Sequence, residues 1–251
     1  MNVLMTTTFF PPHIGGIEYH VLNLSKHLAK RGHQVIVLSS LLPKMKLRLH
    51  EMLDGIEIVR IKTFFLPSWP YRSLSSVGVA VNAEKTIVEL AKEKDVDIIH
   101  AHDHHYPLSW STINAAQRLN LPSVLTLHGM YALNPTKLLA RTMEEAFNLT
   151  VFRRELKKAT AVIGLTPTIT GYAKSYGYSS NAYFTIPNGV DIEVFQENSK
   201  NKQFFREKYG IPERKVVILF RGRFSSVKGV LELAEAARVL SQKYNEVFFL
   251  F

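Results

Sequence analysis

A complete strand–helix–strand unit is legible in the first forty residues of the chain. The apolar run Val3-Leu4-Met5-Thr6-Thr7 has the length of a buried strand and ends in the Pro/Gly loop Phe9-Phe10-Pro11-Pro12-His13-Ile14-Gly15-Gly16. Beyond it, Ile17, Val21, Leu24 and Leu28 fall at helical spacing on one face. Lys30 and Arg31 follow at the expected C-terminus, where cations suit the helix dipole, and Gly32 stops the helix. A second buried run, Val35-Ile36-Val37-Leu38, completes the unit. Two strands joined through a helix lie parallel in one sheet, so the pattern points to an α/β protein with helices covering the sheet.

The architecture recurs without a sequence repeat. Strands are expected at Ile56-Ile58-Ile61, 97–101, 123–127, 161–165 and 183–186, and helices over 77–94, 108–119 and 137–158. Thr166-Pro167 reads as an N-cap followed by a proline in the first helical position. Residues 191–213 are polar, lack a core pattern beyond Phe204-Phe205, and read as a connection. The pattern then restarts with a strand at 216–220, a loop at 221–229, a helix at 231–244 and a strand at 247–251. The expected domains are therefore 1–190, a connection over 191–213, and an incomplete second domain over 214–251. One such unit cannot cover both faces of its sheet, and Phe248-Phe249-Leu250-Phe251 would form an exposed apolar edge.

Composition narrows the function classes. The chain has no cysteine, which excludes disulfides, thiolate metal sites and thiol catalysis. It lacks an apolar stretch long enough for a membrane span and a basic leader, so it reads as cytoplasmic. A net charge of +10 suits nucleic acid, an anionic membrane face or phosphate-bearing substrates. No nucleic-acid motif accompanies it. Basic and apolar residues mix most densely over 44–72, which suggests peripheral contact with anionic lipid, and equally a variable loop with solvated charges.

Two strand-to-helix loops carry chemical promise. In open parallel sheets, ligands bind beyond the carboxyl ends of the strands. Gly15-Gly16 removes two side chains there, so backbone N–H groups can approach an anion; a tight turn alone would also use them. Arg221-Gly222-Arg223-Phe224-Ser225-Ser226-Val227-Lys228-Gly229 places two arginines and a lysine in the matching loop of the second unit, a set that suits a diphosphate or a solvated surface. Neither loop is a dinucleotide fingerprint or a P-loop. His100, His102, His104 and His105 surround Asp103, but no motif fixes their geometry for a metal, and none is expected. His128 stands at the end of a buried strand before Gly129, the place where such sheets expose a functional side chain; a satisfied edge histidine is the other reading. G-x-S-x-G is missing, which removes the esterase reading.

Together these segments resemble family 4 glycosyltransferases. The matching stretches are F-F-P-P-H-I-G-G-I-E-Y-H-V-L-N-L-S-K-H-L-A-K-R-G-H-Q-V, I-I-H-A-H, T-L-H-G, I-P-N-G-V-D-I-E-V-F and R-G-R-F-S-S-V-K-G, in the family's order. The resemblance implies a GT-B fold: a complete N-terminal Rossmann-like domain on the acceptor side, and the first βαβ unit of a second Rossmann-like domain that binds the donor. It implies transfer of a sugar from a nucleotide-diphospho-sugar to a lipid or glycan acceptor with retention, without an obligatory metal or other cofactor. Gly15 and Gly16 would lie near the donor phosphates and sugar, Glu18 on the acceptor side, His128 against the donor sugar, and Arg223 and Lys228 on the diphosphate. The family's E-x-G-x-x-x-x-E segment has no counterpart here, so the chain is expected to stop before its donor half is complete, and a second polypeptide could supply the rest. Leu165-Thr166 stands where the family often has V-S. A non-catalytic module that keeps the acceptor fold and binds glycan or lipid phosphate is the alternative.

Overall fold

The structure, a computed structural model, describes residues 1–43, 45–66, 77–130, 138–177, 182–195, 199–222, 224 and 228–251. They form two compact units, Met1–Asn188 and Gly189–Phe251.

The first unit is one nine-stranded sheet flanked by helices. Its chain order is β1 Asn2–Thr7, α1 Gly16–Lys30, β2 Gln34–Leu41, β3 His50–Leu53, β4 Ile56–Leu66, β5 Val77–Ala80, α2 Ala83–Glu93, β6 Ile98–His102, α3 Pro107–Leu119, β7 Ser123–Leu127, α4 Leu138–Phe147, α5 Arg153–Lys158, β8 Ala161–Gly164, α6 Pro167–Tyr176 and β9 Ala182–Thr185. The order across the sheet is β3-β4-β2-β1-β6-β7-β8-β9, with β5 paired to β4. All pairings are parallel except those of β3 and β5 with β4.

Strand alternation sorts the apolar side chains onto two faces. Val3 and Met5 of β1, with Val35 and Val37 of β2 and Ile56 and Ile58 of β4, pack under α1 around Val21. Their neighbours Leu4, Ile36, Leu38, Val59 and Ile61 face the opposite side, against Ile87 and Ala91 of α2 and Leu108 and Ala115 of α3. A third cluster joins Leu125, Leu127 and Val162 to Phe152, Leu156 and Ile169. The α1 face expected from spacing is the one that packs: Val21 is buried, and Ile17, Leu24 and Leu28 lie against the cluster.

Three expectations change. The helix expected over 77–94 begins only at Ala83, because β4 runs on to Leu66 and pairs antiparallel with Val77–Ala80. Valines alternating about Gly78 suit that strand better than a helix. The helix expected over 137–158 is described from Leu138 and widens into a π turn at Asn148–Phe152. This turn buries both Asn148 and Phe152, and Asn148 Oδ1 accepts a hydrogen bond from the Tyr172 hydroxyl at 2.6 Å. Finally, the connection expected over 191–213 contains a 3₁₀ turn, Ile192–Phe195, and the helix α7 Ser199–Lys208.

In the second unit α7 precedes β10 Val216–Leu219, α8 Val230–Lys243 and β11 Val247–Leu250, and the two strands pair in parallel. Arg206 stitches α7 to the following turn, donating to the carbonyls of Pro212 at 2.7 Å and Lys215 at 3.1 Å. Such a helix is held by hydrogen bonds rather than burial, so it leaves no apolar periodicity to read. Among the described residues, no helix is long and apolar enough to cross a membrane.

Candidate functional site

The loop after β1 and the ends of β6 and β7 meet at the carboxyl edge of the sheet. β1 pairs with β6, and β6 with β7, so residues that leave these strands emerge side by side. The N-terminus of α1 opens onto the same edge. Gly15 occupies its N-cap position and makes no side-chain cap bond. The first N–H groups of the helix therefore keep their capacity for an anion.

The two glycines answer different needs. A Cβ on Gly15 would stand 2.2 Å from Glu18 Oε2, because the Glu18 carboxylate folds back across that residue. Glu18 is buried, and its Oε1 lies 2.5 Å from His13 Nδ1. His13 is held in turn by stacking on Phe9, with centroids 4.7 Å apart. A Cβ on Gly16 would meet nothing within 4 Å. A side chain at Gly15 would thus displace the Glu18 carboxylate, whereas Gly16 leaves open space beside the helix N-terminus.

Arg60 fixes this loop from behind, a role that sequence reading missed. Its guanidinium is buried on β4 and donates to the Pro11 carbonyl at 3.2 Å, the Arg48 carbonyl at 2.9 Å and Glu51 Oε1 at 2.5 Å. The residue lies within the basic stretch 44–72, where its charge reads as one more surface cation. Lys44 and residues 67–72 of that stretch lie outside the described residues.

The histidines come together more closely than their spacing disclosed. His102 ends β6, His128 follows β7, and His20 reaches them from the second turn of α1. His102 Nδ1 and His128 Nε2 are 3.1 Å apart, and the His20 ring lies 4.8 Å from that of His128. His100, two residues back on β6, stacks 4.1 Å from His102 and shares a 2.7 Å hydrogen bond with Thr126 Oγ1. Burial, then the nearby His20 and His128, hold His100 down at about 3. Burial likewise pushes His102 well below the ordinary histidine value. His128 is lowered to about 4 by burial and His20, against an opposing pull from Asp103. His20 is lowered by burial, partly offset by a side-chain hydrogen bond with Asn188. The cluster is therefore neutral near pH 7, and each imidazole can offer one donor and one acceptor. His20 carries no sequence signal of its own, although four residues beyond Gly16 it must face back toward the loop.

Asp103 takes a left-handed conformation at φ 68° just beyond β6. Burial alone would raise its pKa, but the 2.7 Å bond from His105 and the adjacent imidazoles together hold it at about 2. His104 is enclosed by Phe152, at 4.3 Å, and Tyr172.

In the second unit, Lys228 is exposed in the turn that enters α8, directly before Gly229, whose φ of 68° favours glycine. Arg223 lies outside the described residues.

The sequence model of Glycosyltransferase Family 4 matches residues 14–194. The chain belongs to Glycosyltransferase Family 4. Its first unit has the Rossmann-like architecture of a GT-B N-terminal domain, and the β10–α8–β11 unit follows it. HepE of Anabaena, solved in complex with UDP and glucose, superposes with a TM-score of 0.69 at 19% identity, over 100% of this chain and 60% of that one. Alpha-monoglucosyldiacylglycerol synthase of Acholeplasma laidlawii is 24% identical over 246 residues, 94% of this chain and 59% of the relative. D-inositol 3-phosphate glycosyltransferase of Xylanimonas cellulosilytica is 24% identical over 249 residues, 93% of this chain and 57% of the relative. The chain thus spans less than two thirds of each.

Proposed function

We propose that the chain serves sugar transfer from a nucleotide-diphospho-sugar to a lipid or glycan acceptor, with retention at the anomeric carbon. The observation that carries this reading is the meeting of an uncapped helix N-terminus, the open space at Gly16 and the neutral His128 at one sheet edge in a family 4 chain. A relative named alpha-monoglucosyldiacylglycerol synthase supports a lipid acceptor, and HepE with UDP and glucose supports the donor class.

In this reading Gly15 and Gly16 let the α1 N-terminus approach the donor, whose leaving group develops negative charge as the glycosidic bond breaks. His128, neutral, hydrogen-bonds a hydroxyl of the donor sugar. Arg223 and Lys228 hold the diphosphate, and the His13–Glu18 pair borders the acceptor. Exposed Lys46, Arg48 and Lys62, with Met45 and Leu49 beside them, would bring the chain to anionic lipid.

The test is binding and transfer with a panel of nucleotide-sugars, using the 251-residue chain with and without any polypeptide that completes it. His128→Ala is expected to lower transfer at least ~10-fold while nucleoside diphosphate affinity changes less than ~3-fold, since one hydrogen bond to the sugar is worth about 0.5–1.5 kcal/mol or somewhat more in a dry site. Equal losses in both would reduce His128 to a structural residue. No binding of any nucleotide-sugar would favour the glycan- or lipid-phosphate-binding module.

A further inference from the structure

We propose that the cavity between α3 and α5 binds one small organic monocarboxylate, its apolar body against Trp110 and its oxygens on the Glu155 carboxyl. The cavity has a volume of about 290 Å³ and is lined by Trp110 and Asn114 of α3, Thr150 and Val151 of the π turn, and Arg154 and Glu155 of α5. None of these residues belongs to the glycine and histidine set at the sheet edge. Its size is near the lower end of small-molecule pockets, roughly 300–1,000 Å³. Two of the lining residues come from the π turn, a local widening that is frequently found at functional sites.

The wall of this cavity carries one polar group that the fold leaves unused. Glu155 is 3% exposed, and its Oε2 has no hydrogen-bond partner among the described residues. Burial, opposed by Lys158 and Arg154, raises its pKa to about 8. Near pH 7 it is therefore protonated, a hydrogen-bond donor on the wall of a mostly apolar space. The charges around it are positive. Arg154 lines the same cavity, and Lys158 Nζ donates across to Asn114 Oδ1 on α3. The remaining lining side chains, Trp110, Asn114, Thr150 and Val151, are uncharged. A cationic ligand is thus disfavoured, and a phosphate would find too few donors. A carboxylate fits both features: the O–H···O⁻ bond from Glu155 is of the short, charge-assisted kind, and the two cations offset the charge of the ligand. Trp110 is fixed as a surface for the apolar body, because its Nε1–H donates to the His104 carbonyl at 2.7 Å.

Benzoate titration of the whole chain tests this without any sugar transfer, read through the Trp110 indole ¹H–¹⁵N resonance, which Trp110→Phe identifies. Near pH 6 benzoate should shift that resonance saturably, and benzyl alcohol, its neutral analogue, should bind at least ~10-fold more weakly, the effect of losing a charge-assisted hydrogen bond. Raising the pH ionises Glu155, which then repels the ligand, so benzoate affinity should fall at least ~10-fold between about pH 6 and about pH 9.5. Lys158 is held below the ordinary lysine value by burial and Arg154, against Glu155 and Glu84, so it too sheds charge as the pH rises. Glu155→Gln keeps a side-chain donor but cannot ionise, so the fall that remains in it, expected to be under ~3-fold, belongs to Lys158. Glu155→Leu should weaken benzoate at least ~10-fold near pH 6. An indole resonance that does not saturate, benzyl alcohol bound as tightly as benzoate, an equal fall with pH in Glu155→Gln, or full affinity in a folded Glu155→Leu variant would each overturn the site.

Discussion

The two units place the same strand–helix–strand motif in opposite circumstances. In the first, β1 and β2 have neighbours on both sides and helices on both faces, so Leu4, Met5, Val37 and Leu38 are fully buried. In the second, among the described residues, β10 and β11 pair only with each other, and no residue of α8 is buried. Val216 and Leu219 are each 62% exposed, and Leu231 is 68% exposed. Local sequence preference suffices to draw the unit in both cases, but only the additional layer converts it into core. Buried packing is therefore concentrated in the first unit.

The comparison breaks most sharply under truncation of one side chain in each unit. Phe152 is fully buried and stacks on Tyr172 at 5.3 Å, so Phe152→Ala should cost about 3–5 kcal/mol. Leu219→Ala removes a side chain that is mostly in water and should cost under about 0.5 kcal/mol. Denaturant unfolding of both variants, with amide exchange resolving the two units, measures the contrast. A comparable loss from Leu219 would show that the second unit is packed in solution.

What the sequence disclosed follows the same division. Sheet strands and helix faces in the first unit were legible because burial on two sides imposes alternation and helical period on the residues, as in β1, β2 and α1. Gly15, Gly16 and His128 were legible for their place at strand ends. Three things were hidden. α7 is stitched by Arg206 to backbone carbonyls, and hydrogen bonding leaves no periodic trace. Arg60 is an interior anchor, but a charge in a basic stretch looks the same whether it faces water or a loop carbonyl. The His20–His102–His128 cluster draws on residues more than eighty positions apart in the chain, and only the adjacency of β1, β6 and β7 brings them together.

A buried acid sharpens the picture of the first unit as the stable one. Glu155 lies on α5, beside a cavity of about 290 Å³ lined by Trp110, Asn114, Thr150 and Arg154. Its Oε2 has no hydrogen-bond partner among the described residues. Burial raises its pKa to about 8, against weaker opposition from Lys158 and Arg154. The folded state therefore keeps its proton after the unfolded chain has lost it above pH 4.5, so stability falls as pH rises from about 4.5 to 8. Each pH unit between the two pKa values is worth about 1.36 kcal/mol, so the ceiling of that loss is about 5 kcal/mol. Glu155→Gln removes the titration and should stabilise the first unit by about 2 kcal/mol at pH 8, with little effect at pH 4. Thermal unfolding across that range gives the answer: parallel curves for both proteins would mean that Glu155 ionises freely.

The glycines behave differently from one another, and at Gly16 stability and binding should part company. Gly15→Ala drives a methyl into the Glu18 carboxylate, which must swing away and release His13. A loss of about 1–3 kcal/mol follows from overpacking of a tight contact. Gly16 opens α1, and a methyl there meets nothing within 4 Å. Alanine is the better helix former and reduces the freedom of the unfolded chain, so Gly16→Ala should be neutral or stabilise by up to about 1 kcal/mol. The same methyl occupies the space through which a diphosphate or sugar would approach the α1 N–H groups. A variant that melts no lower than the parent yet binds a nucleotide-sugar at least ~10-fold more weakly would tie Gly16 to the ligand rather than to the fold, because a lost charge-assisted hydrogen bond is worth about 1.5–3 kcal/mol. Unchanged affinity in Gly16→Ala would move the ligand away from this helix end, and the glycine pair would then be a turn in which Gly15 makes room for the Glu18 carboxylate.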